Sequence, residues 1–306
     1  MLPSGFGTTA GGASVASEVV LITGASSGFG KACAEHLGRL GYRVYGTSRR
    51  AAFPAPGAGG SFPAMIPMDV RDDASVRTAV DFVVEREGRL DVVVNNAGVG
   101  LAGAVEDTTP EEARELFETN FFGVLRVCRA VLPTLRRRGT GLIVNVSSIG
   151  GLVTIPFQGF YSASKFALES LTDALRMELK PFGVRVTLLE PGDFRTGFTE
   201  RREFTADSRT NPAYRERCRT AVAVMEHDER NGADPEELAG LLAKVMAKPA
   251  PRPRYLAGMF VQKLAVAVKR VAPAAWFEKA IMAYYKIQPG GARSLAVDPA
   301  GEEEPR

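Results

Sequence analysis

Cysteine and histidine are scarce in this chain. Its 306 residues include three cysteines, at positions 33, 128 and 218, and two histidines. Because the cysteines are odd in number and far apart, the sequence disfavours both a disulfide framework and a zinc site with closely spaced ligands. Two histidines also leave little material for a metal centre built on imidazole. We therefore expect a protein without a metal ion, in a reducing cytoplasm.

Long apolar runs and a strong charge of either sign are also missing. No uninterrupted apolar stretch approaches the roughly 18 to 20 residues that cross a bilayer, and residues 1–17 lack the basic start and apolar run of a secretory signal. The formal net charge of +3 is small for a chain of this length. We therefore expect no transmembrane span and no binding to nucleic acid, and we interpret residues 1–17 as a flexible arm.

Short β-branched segments alternate with segments of helix length along the chain. Their apolar residues run nearly continuously, which is typical of strands covered by helices on both faces. The predicted strands are residues 18–23, 43–47, 65–69, 91–95, 141–147, 184–190 and 254–257. This alternation predicts an α/β fold with a single Rossmann-type doubly wound parallel sheet, over residues 18–258.

Two helix starts are marked in the sequence. Residues 109–112, Thr-Pro-Glu-Glu, and residues 234–237, Asp-Pro-Glu-Glu, each supply a capping oxygen, a proline in the first turn and a glutamate three residues after the cap. Between residues 193 and 233 no strand pattern is visible, and a long segment of this kind in a compact domain is usually functional. We interpret residues 193–233 as a substrate flap with its own helix near residues 213–225.

A glycine-rich segment follows the first predicted strand. It reads Thr23-Gly24-Ala25-Ser26-Ser27-Gly28-Phe29-Gly30 and precedes a helix pattern. Glycines let the backbone turn sharply and approach a pyrophosphate, which then lies on free amide groups at the positive end of the helix. The spacing Gly-x3-Gly-x-Gly differs from the commoner dinucleotide pattern. The segment predicts an anion site.

The same segment also matches the Gly-x-Ser-x-Gly of a hydrolase nucleophile elbow, with Ser26 in the central place. A serine hydrolase needs a histidine beside its serine in the fold. Only His227, in a polar helical pattern, could serve. The segment by itself leaves a dinucleotide site and a hydrolase both open.

The end of the second predicted strand lacks the acid that usually holds the ribose hydroxyls of NAD. Residues 46–50 read Gly-Thr-Ser-Arg-Arg in its place. A guanidinium can bind the 2'-phosphate of NADP in a forked geometry. We therefore predict NADP(H), bound by Arg49 with help from Ser27, Ser48 and Arg50.

Tyr161 and Lys165 stand four residues apart in a helix pattern, which places them on one face. A phenol has a reference pKa near 10, and a neighbouring ammonium lowers that pKa by favouring the phenolate. The preceding predicted strand ends at Ser148, whose hydroxyl can polarise a substrate oxygen at the carboxyl edge of the sheet. A tyrosine acid or base beside a polarising serine indicates proton transfer at that edge.

These motifs together resemble the short-chain dehydrogenase/reductase family. The matching motifs run in order from residue 19 to residue 192 at least, with one further threonine just beyond. They are Thr23 to Gly30, Asn95-Asn96-Ala97-Gly98, Asn120, Ser148, Tyr161-x3-Lys165, and Pro191-Gly192 with Thr196. The resemblance is weaker, but present, to the branch of 17β-hydroxysteroid and retinol dehydrogenases.

The resemblance implies a role for each matching residue. Tyr161 is the expected acid or base, Lys165 tunes it and binds the nicotinamide ribose, Ser148 orients the substrate, and Asn120 supports a proton relay. On its position alone, Asn120 would be interpreted as a buried amide satisfied by backbone. The expected cofactor contacts are Thr23, Gly24, Ser26, Ser27, Gly28, Phe29, Gly30, Asp69, Val70, Asn96, Ala97, Gly98, Pro191, Gly192 and Thr196.

The substrate is expected to be a lipophilic ketone, aldehyde or secondary alcohol. The flap carries apolar side chains that could close over such a molecule: Phe194, Phe198, Phe204, Tyr214 and Met225. The alternative for them is ordinary helix packing. A non-catalytic NADP(H)-binding sensor with the same fold also remains an alternative to the enzyme.

The C-terminal part of the chain predicts two amphipathic helices over residues 259–287, followed by a disordered tail over residues 288–306. Basic amphipathic helices can lie on a membrane surface, or they can dock over a pocket or a partner subunit. We favour docking. The resemblance further implies a homodimer or homotetramer that pairs through the helices predicted over residues 111–138 and 161–180.

Overall fold

A seven-stranded parallel sheet forms the centre of the fold. The computed structural model describes residues 18–54 and 63–287. The sheet order is β3-β2-β1-β4-β6-β7-β9, and every neighbouring pair is parallel. The sheet strands are β1 (Val19–Ile22), β2 (Arg43–Ser48), β3 (Ala64–Pro67), β4 (Val92–Asn95), β6 (Gly141–Val146), β7 (Val184–Pro191) and β9 (Arg254–Ala257). The predicted doubly wound α/β fold is confirmed.

Nine helices follow or flank these strands in the described part of the chain. They are α1 (Gly28–Arg39), α2 (Asp73–Glu87), α3 (Pro110–Phe117), α4 (Gly123–Arg138), α5 (Gly159–Leu179), α6 (Arg215–Arg230), α7 (Pro235–Met246), α8 (Phe260–Lys269) and α9 (Ala274–Tyr284). The predicted N-caps are confirmed at the starts of α3 and α7. Thr109 and Glu112 form a reciprocal capping box at α3, and Asp234 accepts a hydrogen bond from the amide of Glu236 at α7.

Alternate residues of the strands face two separate cores. Val93 packs in a core with α2, α4 and α5, whereas Val92 and Val94 pack on the other face with α1 and α7. Strand side chains point alternately to the two faces, so both must be apolar when helices cover both. Full burial of each such side chain contributes about 1.5–3 kcal/mol.

Two expectations about the elements were wrong. Residues 111–138 do not form one helix, because a π-helical turn, Glu118–Phe122, separates α3 from α4. The flap does contain a strand, β8 (Glu203–Phe204), which pairs in parallel with β5 (Leu101–Ala102). Two residues are too few to give a periodic pattern. The flap helix, α6, lies close to its predicted place but continues to Arg230.

The strand order brings the functional loops together. The chain winds outward from β1 to β3 on one side and from β4 to β9 on the other. In sheets of this kind, ligands bind where the order reverses, outside the carboxyl ends of the strands. The loops after β1, β4, β6 and β7 therefore meet at one edge. The predicted arm and tail lie outside the described residues.

Candidate active site

The loop after β1 is built for close backbone approach. Gly24 has a φ of +67°, and a Cβ placed there would lie 2.9 Å from Ala97 Cα. A Cβ at Gly30 would lie 2.5 Å from Asn96 Nδ2. Ser27 precedes α1 without making a side-chain capping bond, and the first turn of α1 holds no acid. The amides at this helix start therefore fit a pyrophosphate, as the sequence predicts.

Hydrogen bonds join residues 23–30, here called the phosphate cradle, to the loop after β4. Thr23 Oγ1 accepts hydrogen bonds from the amides of Asn96, at 2.9 Å, and Ala97, at 3.0 Å. Asn96 Nδ2 donates to the carbonyls of Thr23 and Gly24, at 2.9 and 3.2 Å. The side chain of Asn96 is thus used to position the cradle. Its expected contact with a cofactor remains a prediction.

The end of β2 lies beside the cradle. Ala25 donates its amide to the carbonyl of Thr47 at 2.9 Å, and the next residues, Ser48, Arg49 and Arg50, are partly or fully exposed. Arg71 bonds the carboxylate of Asp69 and is the main cause of that group's lowered pKa, to which the charge of Arg49 also contributes. The charge of Arg49 therefore lies near Asp69.

Asp69 and Val70, two of the residues expected to contact the cofactor, differ in how they are packed. Val70 is 8% exposed, and its side chain packs close to the backbone of Gly123 at the start of α4. Asp69 remains partly accessible next to Arg71. The Asp69 carboxylate is thus the more accessible of the two for a ligand.

Tyr161 and Lys165 lie on the first turns of α5 and are both buried. Lys165 Nζ donates to the carbonyl of Val146 at 3.0 Å and lies 5.9 Å from the centre of the Tyr161 ring. Burial lowers the pKa of Lys165 to about 8, against a rise caused by Glu169. The predicted pair on one helix face is present.

The expected lowering of the Tyr161 pKa is not found in the structure. Burial raises this pKa to about 12, while a hydrogen bond with Ser148 lowers it and the charge of Glu229 raises it. Burial outweighs the other effects because it disfavours the charged phenolate. The protein's own residues therefore keep Tyr161 protonated at neutral pH.

Ser148 follows the end of β6 in extended backbone. Its Oγ accepts a hydrogen bond from the amide of Gly150 at 2.9 Å, which fixes the hydroxyl beside Tyr161. The loop between them contains Phe157, whose φ of +57° is unusual for a bulky residue. Its carbonyl accepts from the amide of Gly103 at 2.8 Å, so this loop is tied to β5.

Asn120 lies in the π-helical turn and is completely buried. Its Oδ1 accepts from the amide of Val99 at 2.9 Å, and its Nδ2 donates to the carbonyl of Val99 at 3.0 Å and to Ser164 Oγ at 3.2 Å. The side chain thus joins the loop after β4 to α5, as its buried position suggests. A share in proton relay stays a prediction. π-helical turns are frequent at functional sites.

Pro191 ends β7, Gly192 follows it, and Thr196 lies next to Gly28. The amide of Gly192 donates to the carbonyl of Ala257 at 2.9 Å, and a Cβ placed at Gly192 would lie 2.0 Å from Gln262 Oε1. Arg201 donates to Ser27 Oγ and, at 3.2 Å, to the carbonyl of Thr196. The sequence analysis missed Arg201, whose guanidinium lies across the phosphate cradle.

A buried charged group beside Tyr161 was also missed. The Arg202 side chain is 1% exposed and pairs with Glu229. Its Nε and Nη1 are buried and find no hydrogen-bond partner in the described residues. Arg202 Cζ lies 5.8 Å from the centre of the Phe198 ring, which lies 5.9 Å from that of Tyr161. Unpaired buried donors are costly and indicate a place for an acceptor.

Asp193 is a further buried acid near Arg202 and Glu229. Burial, followed by the charges of Glu229 and Asp228, raises the pKa of Asp193 to about 7. Gln262 of α8 donates to its carboxylate, and the Asp193 amide donates to Gln262 Oε1 at 3.2 Å. No pattern in the sequence links α8 to the flap, so only the fold reveals this contact.

The hydrolase alternative is not supported by the placement of the histidines. His36 Nδ1 lies 2.6 Å from Glu236 Oε1, and the His227 ring lies next to Asn231. Ser26 is exposed on the cradle. Within residues 18–54 and 63–287, no group of three or more His, Cys, Asp or Glu side chains could hold a metal ion.

A phosphate cradle at the switch point of a parallel sheet, with a tyrosine, lysine and serine at the same edge, defines a nicotinamide-dependent oxidoreductase. The family model for short-chain dehydrogenases matches residues 18–206, and the chain belongs to this family.

Relatives and one solved structure agree with this assignment. The chain is 43% identical over 271 residues to a 3-ketodihydrosphingosine reductase of Bacteroides thetaiotaomicron, which covers 89% of this chain and 99% of that protein. It is 36% identical over 260 residues to human 17-beta-hydroxysteroid dehydrogenase type 1, covering 79% and 77%. The crystal structure of a short-chain dehydrogenase from Streptomyces avermitilis matches with a TM-score of 0.73 and 34% identity, covering 88% of this chain and 97% of that chain. The predicted family, its hydroxysteroid dehydrogenase-like branch and redox chemistry at a carbonyl or alcohol carbon are confirmed.

Proposed function

We propose that this chain is an NADP(H)-dependent reductase of long-chain ketones that carry polar groups next to the carbonyl, as 3-ketodihydrosphingosine does. The observation that carries the proposal is the neighbourhood of Tyr161. A protonated phenol, hydrogen-bonded with Ser148, lies close to a buried Arg202–Glu229 pair and to apolar side chains. This combination suits a substrate with a polar head and an apolar tail.

The proton side of the reaction is assigned to residues of the chain. Bound at residues 23–30 and beside Arg49, NADPH would supply a hydride to the carbonyl carbon. Tyr161 gives its proton to the carbonyl oxygen, and Ser148 holds that oxygen in place. Lys165, held by the carbonyl of Val146, favours the phenolate that remains. Tyr161 is protonated at neutral pH and therefore holds the proton that reduction of a carbonyl needs.

The polar head of such a ketone has complementary partners. In 3-ketodihydrosphingosine an amine lies on the carbon next to the ketone, and a hydroxyl lies on the following carbon. Asp193 and Glu229 offer carboxylate oxygens to an ammonium, and the unpaired Nε and Nη1 of Arg202 can donate to a hydroxyl. The relative with 43% identity, named for this ketone, supports the same substrate class.

Two apolar clusters that include residues of the flap could line the apolar tail of the substrate. Phe198 packs with Leu101, Leu116 and Tyr161. A second cluster joins α6 to β5 and includes Ala102, Val222 and Met225, with Phe157, Phe204 and Tyr285 packed against it. Phe194, in contrast, packs on Phe29 with ring centres 5.0 Å apart and serves to anchor the flap.

The choice of NADP(H) is supported by the cations around the cradle. Arg49 and Arg50 are exposed after β2, and Arg201 adds a third guanidinium at Ser27. The end of β2 carries no acid that would repel a 2'-phosphate. Three free, buried thiols support the predicted cytoplasmic location.

The decisive experiment measures NADPH oxidation with 3-ketodihydrosphingosine and with a long-chain ketone that lacks the amine. We expect turnover of the first and a kcat/KM on the order of tenfold lower for the second, since an ammonium bonded to a carboxylate contributes about 1.5–3 kcal/mol. Tyr161→Phe should lower kcat on the order of 10²–10⁴-fold. Tyr42→Phe, in the core between α1 and β2, is the matched control and should keep activity.

The outcomes separate the alternatives. Turnover that survives in Tyr161→Phe would refute the assigned acid. Binding of NADPH without turnover of any ketone would instead favour the non-catalytic sensor. Equal rates with both ketones would support a reductase but would refute the assigned recognition of the amine.

Cofactor preference is tested separately through Arg49. Loss of one charge-assisted contact to the 2'-phosphate costs about 1.5–3 kcal/mol. Arg49→Ala should therefore reduce the preference for NADPH over NADH on the order of tenfold or more, mainly through the KM for NADPH. Arg77→Ala, on the exposed side of α2, is the matched control. An unchanged preference in Arg49→Ala would refute this assignment.

A further inference from the structure

The two C-terminal helices are fixed to the catalytic body by one face of α8 and by Tyr284 and Tyr285 at the end of α9. Gln262 of α8 bonds Asp193, and Val266 is buried. Lys269 donates to the carbonyl of Leu152 and lies 4.9 Å from the ring of Phe166 on α5. This hairpin, residues 260–287, therefore contacts the chain just after β7. Docking over the substrate pocket or a partner subunit stays a prediction.

The outer face of the hairpin is apolar and exposed. Phe260, Leu264 and Val268 follow each other at steps of four residues, which places them on one side of α8, and exposed Val271 lies in the turn just after this helix. Phe260 is 79% exposed and Val271 is 84% exposed. Of the fifteen exposed large apolar side chains in the described residues, seven lie in the hairpin. Contiguous exposed apolar surface of this kind marks an interaction site.

Positive charge is concentrated in the same place. The hairpin holds five cations and only one acid, Glu278, although the whole chain carries a net charge of only +3. Lys263, Arg270 and Lys279 are exposed, close in sequence to the apolar residues. Trp276, the chain's one tryptophan, is 73% exposed on α9. An apolar helix face flanked by lysine, arginine and tryptophan is complementary to the interface of an anionic bilayer.

We propose that the outer face of the hairpin is a docking surface for an anionic lipid bilayer. No helix among residues 18–54 and 63–287 is long and apolar enough to cross a membrane. The ten residues of α8 extend over about 15 Å, half of a bilayer core of roughly 30 Å. The helix therefore lies in the plane of the membrane surface, with Phe260, Leu264 and Val271 among the lipids and the lysines at the headgroups.

This surface borders the active site. Tyr284 of α9 donates to Asp228 at 2.7 Å, and Tyr285 packs on the apolar cluster of α6. Gln262 contacts Gly192 and Asp193 at the end of β7. A docked enzyme would take a lipid ketone from the bilayer beside its own site, an advantage that depends on the proposed function. The docking itself does not.

Trp276 gives a direct test with the full chain. We expect its emission to shift to shorter wavelength, and the protein to co-sediment, when vesicles of phosphatidylcholine with phosphatidylglycerol are added. Pure phosphatidylcholine vesicles should bind on the order of tenfold or more weakly, and high salt should release the protein. Phe260→Ser combined with Val271→Ser should lower binding to the anionic vesicles on the order of tenfold or more, since both side chains leave water on docking. Val105→Ser, at a site 69% exposed outside the hairpin, is the matched control and should bind normally.

The folded state of each variant is checked by circular dichroism and by its melting temperature, which do not depend on the proposed function. An unchanged Trp276 emission with anionic vesicles would overturn the proposal. So would equal binding by the double variant and by the control. Light scattering that shows a larger assembly without lipid, lost only in the double variant, would assign the face to a second copy of the chain and overturn the proposal as well.

Discussion

Glu190 shows how charge is buried under the site. It is 1% exposed at the end of β7, and Arg254 Nε lies 3.3 Å from its Oε1 and 3.1 Å from Glu169 Oε2. The same guanidinium also pairs with Asp173 at 2.5 Å. One cation thus faces three carboxylates. Burial, and then repulsion by Glu169, raises the pKa of Glu190 from an ordinary 4.5 to about 8.

This raised pKa predicts that stability falls as pH rises. Between the ordinary value of 4.5 and about 8, the folded chain binds a proton at Glu190 that the unfolded chain does not. The contribution of this proton to the free energy of unfolding is complete below pH 4.5 and is lost as the pH rises through about 8. Glu190→Gln, which imitates the protonated form, should raise the free energy of unfolding by roughly 2 kcal/mol at pH about 9 and change it little at pH about 5.

Denaturant unfolding at the two pH values measures this difference. Glu237→Gln, exposed on α7, is the matched control and should be neutral at both. An equal gain from Glu190→Gln at both values would show that packing, and not ionisation, is responsible.

At the scale of elements, the flap depends on a few buried contacts. Its β8 pairs with the two residues of β5, and Glu229 of α6 pairs with Arg202 and accepts from Thr199. Removing one partner of a buried ion pair leaves the other charge uncompensated. The pair therefore holds α6 to the start of β8.

Breaking this pair should loosen the flap. We expect Glu229→Gln to cost about 2 kcal/mol or more, since it weakens a hydrogen bond to a charged, buried partner. Limited trypsin digestion should then cleave faster at the flap arginines, Arg201 and Arg209 among them. Glu226→Gln, one turn earlier in α6, breaks only an exposed pair with Arg230 and should change stability by less than about 0.5 kcal/mol. If trypsin cleaved Glu229→Gln and Glu226→Gln at the same rate, the Arg202–Glu229 ion pair would not be what holds the flap.

The elements differ in how far the sequence predicts them. Continuous apolar strands such as Val92–Asn95 and local caps such as Thr109 are encoded within a few residues, and both were predicted. The π-helical turn was not, because its helical pattern looks continuous across residues 111–138 and the extra residue per turn leaves no periodic mark.

The candidate site divides in the same way. Tyr161, Lys165 and Ser148 stand in local motifs, and the structure brings them together. Arg202 and Glu229 are 27 residues apart, and Asp193 and Gln262 are 69 apart. In the sequence each is one polar residue among many. The predicted direction of the Tyr161 pKa shift was also wrong. The burial that raises this pKa depends on packing with residues far away in the sequence, such as Phe198.

At the scale of the whole molecule, α4 and α5 offer a second apolar surface. Phe122 and Leu125 are 40% and 36% exposed at the start of α4, and Met177 is 68% exposed near the end of α5. These are the helices through which the sequence resemblance implies pairing. Two copies related by a two-fold axis would bury the same residues on both sides.

We therefore expect a dimer through α4 and α5 that leaves the hairpin outer face accessible. Light scattering should give about twice the chain mass of 32.8 kDa, or four times if two dimers associate. Leu125→Glu combined with Met177→Glu should reduce the mass to one chain, because carboxylates would lie in an apolar interface. Leu40→Glu, 51% exposed at the end of α1, is the matched control and should keep the assembly. If the double variant kept the dimer mass, another surface would hold the copies together. If Phe260→Ser with Val271→Ser reduced the mass instead, the hairpin would be the surface that joins the copies. The masses of these variants therefore show which of the two apolar surfaces forms the dimer.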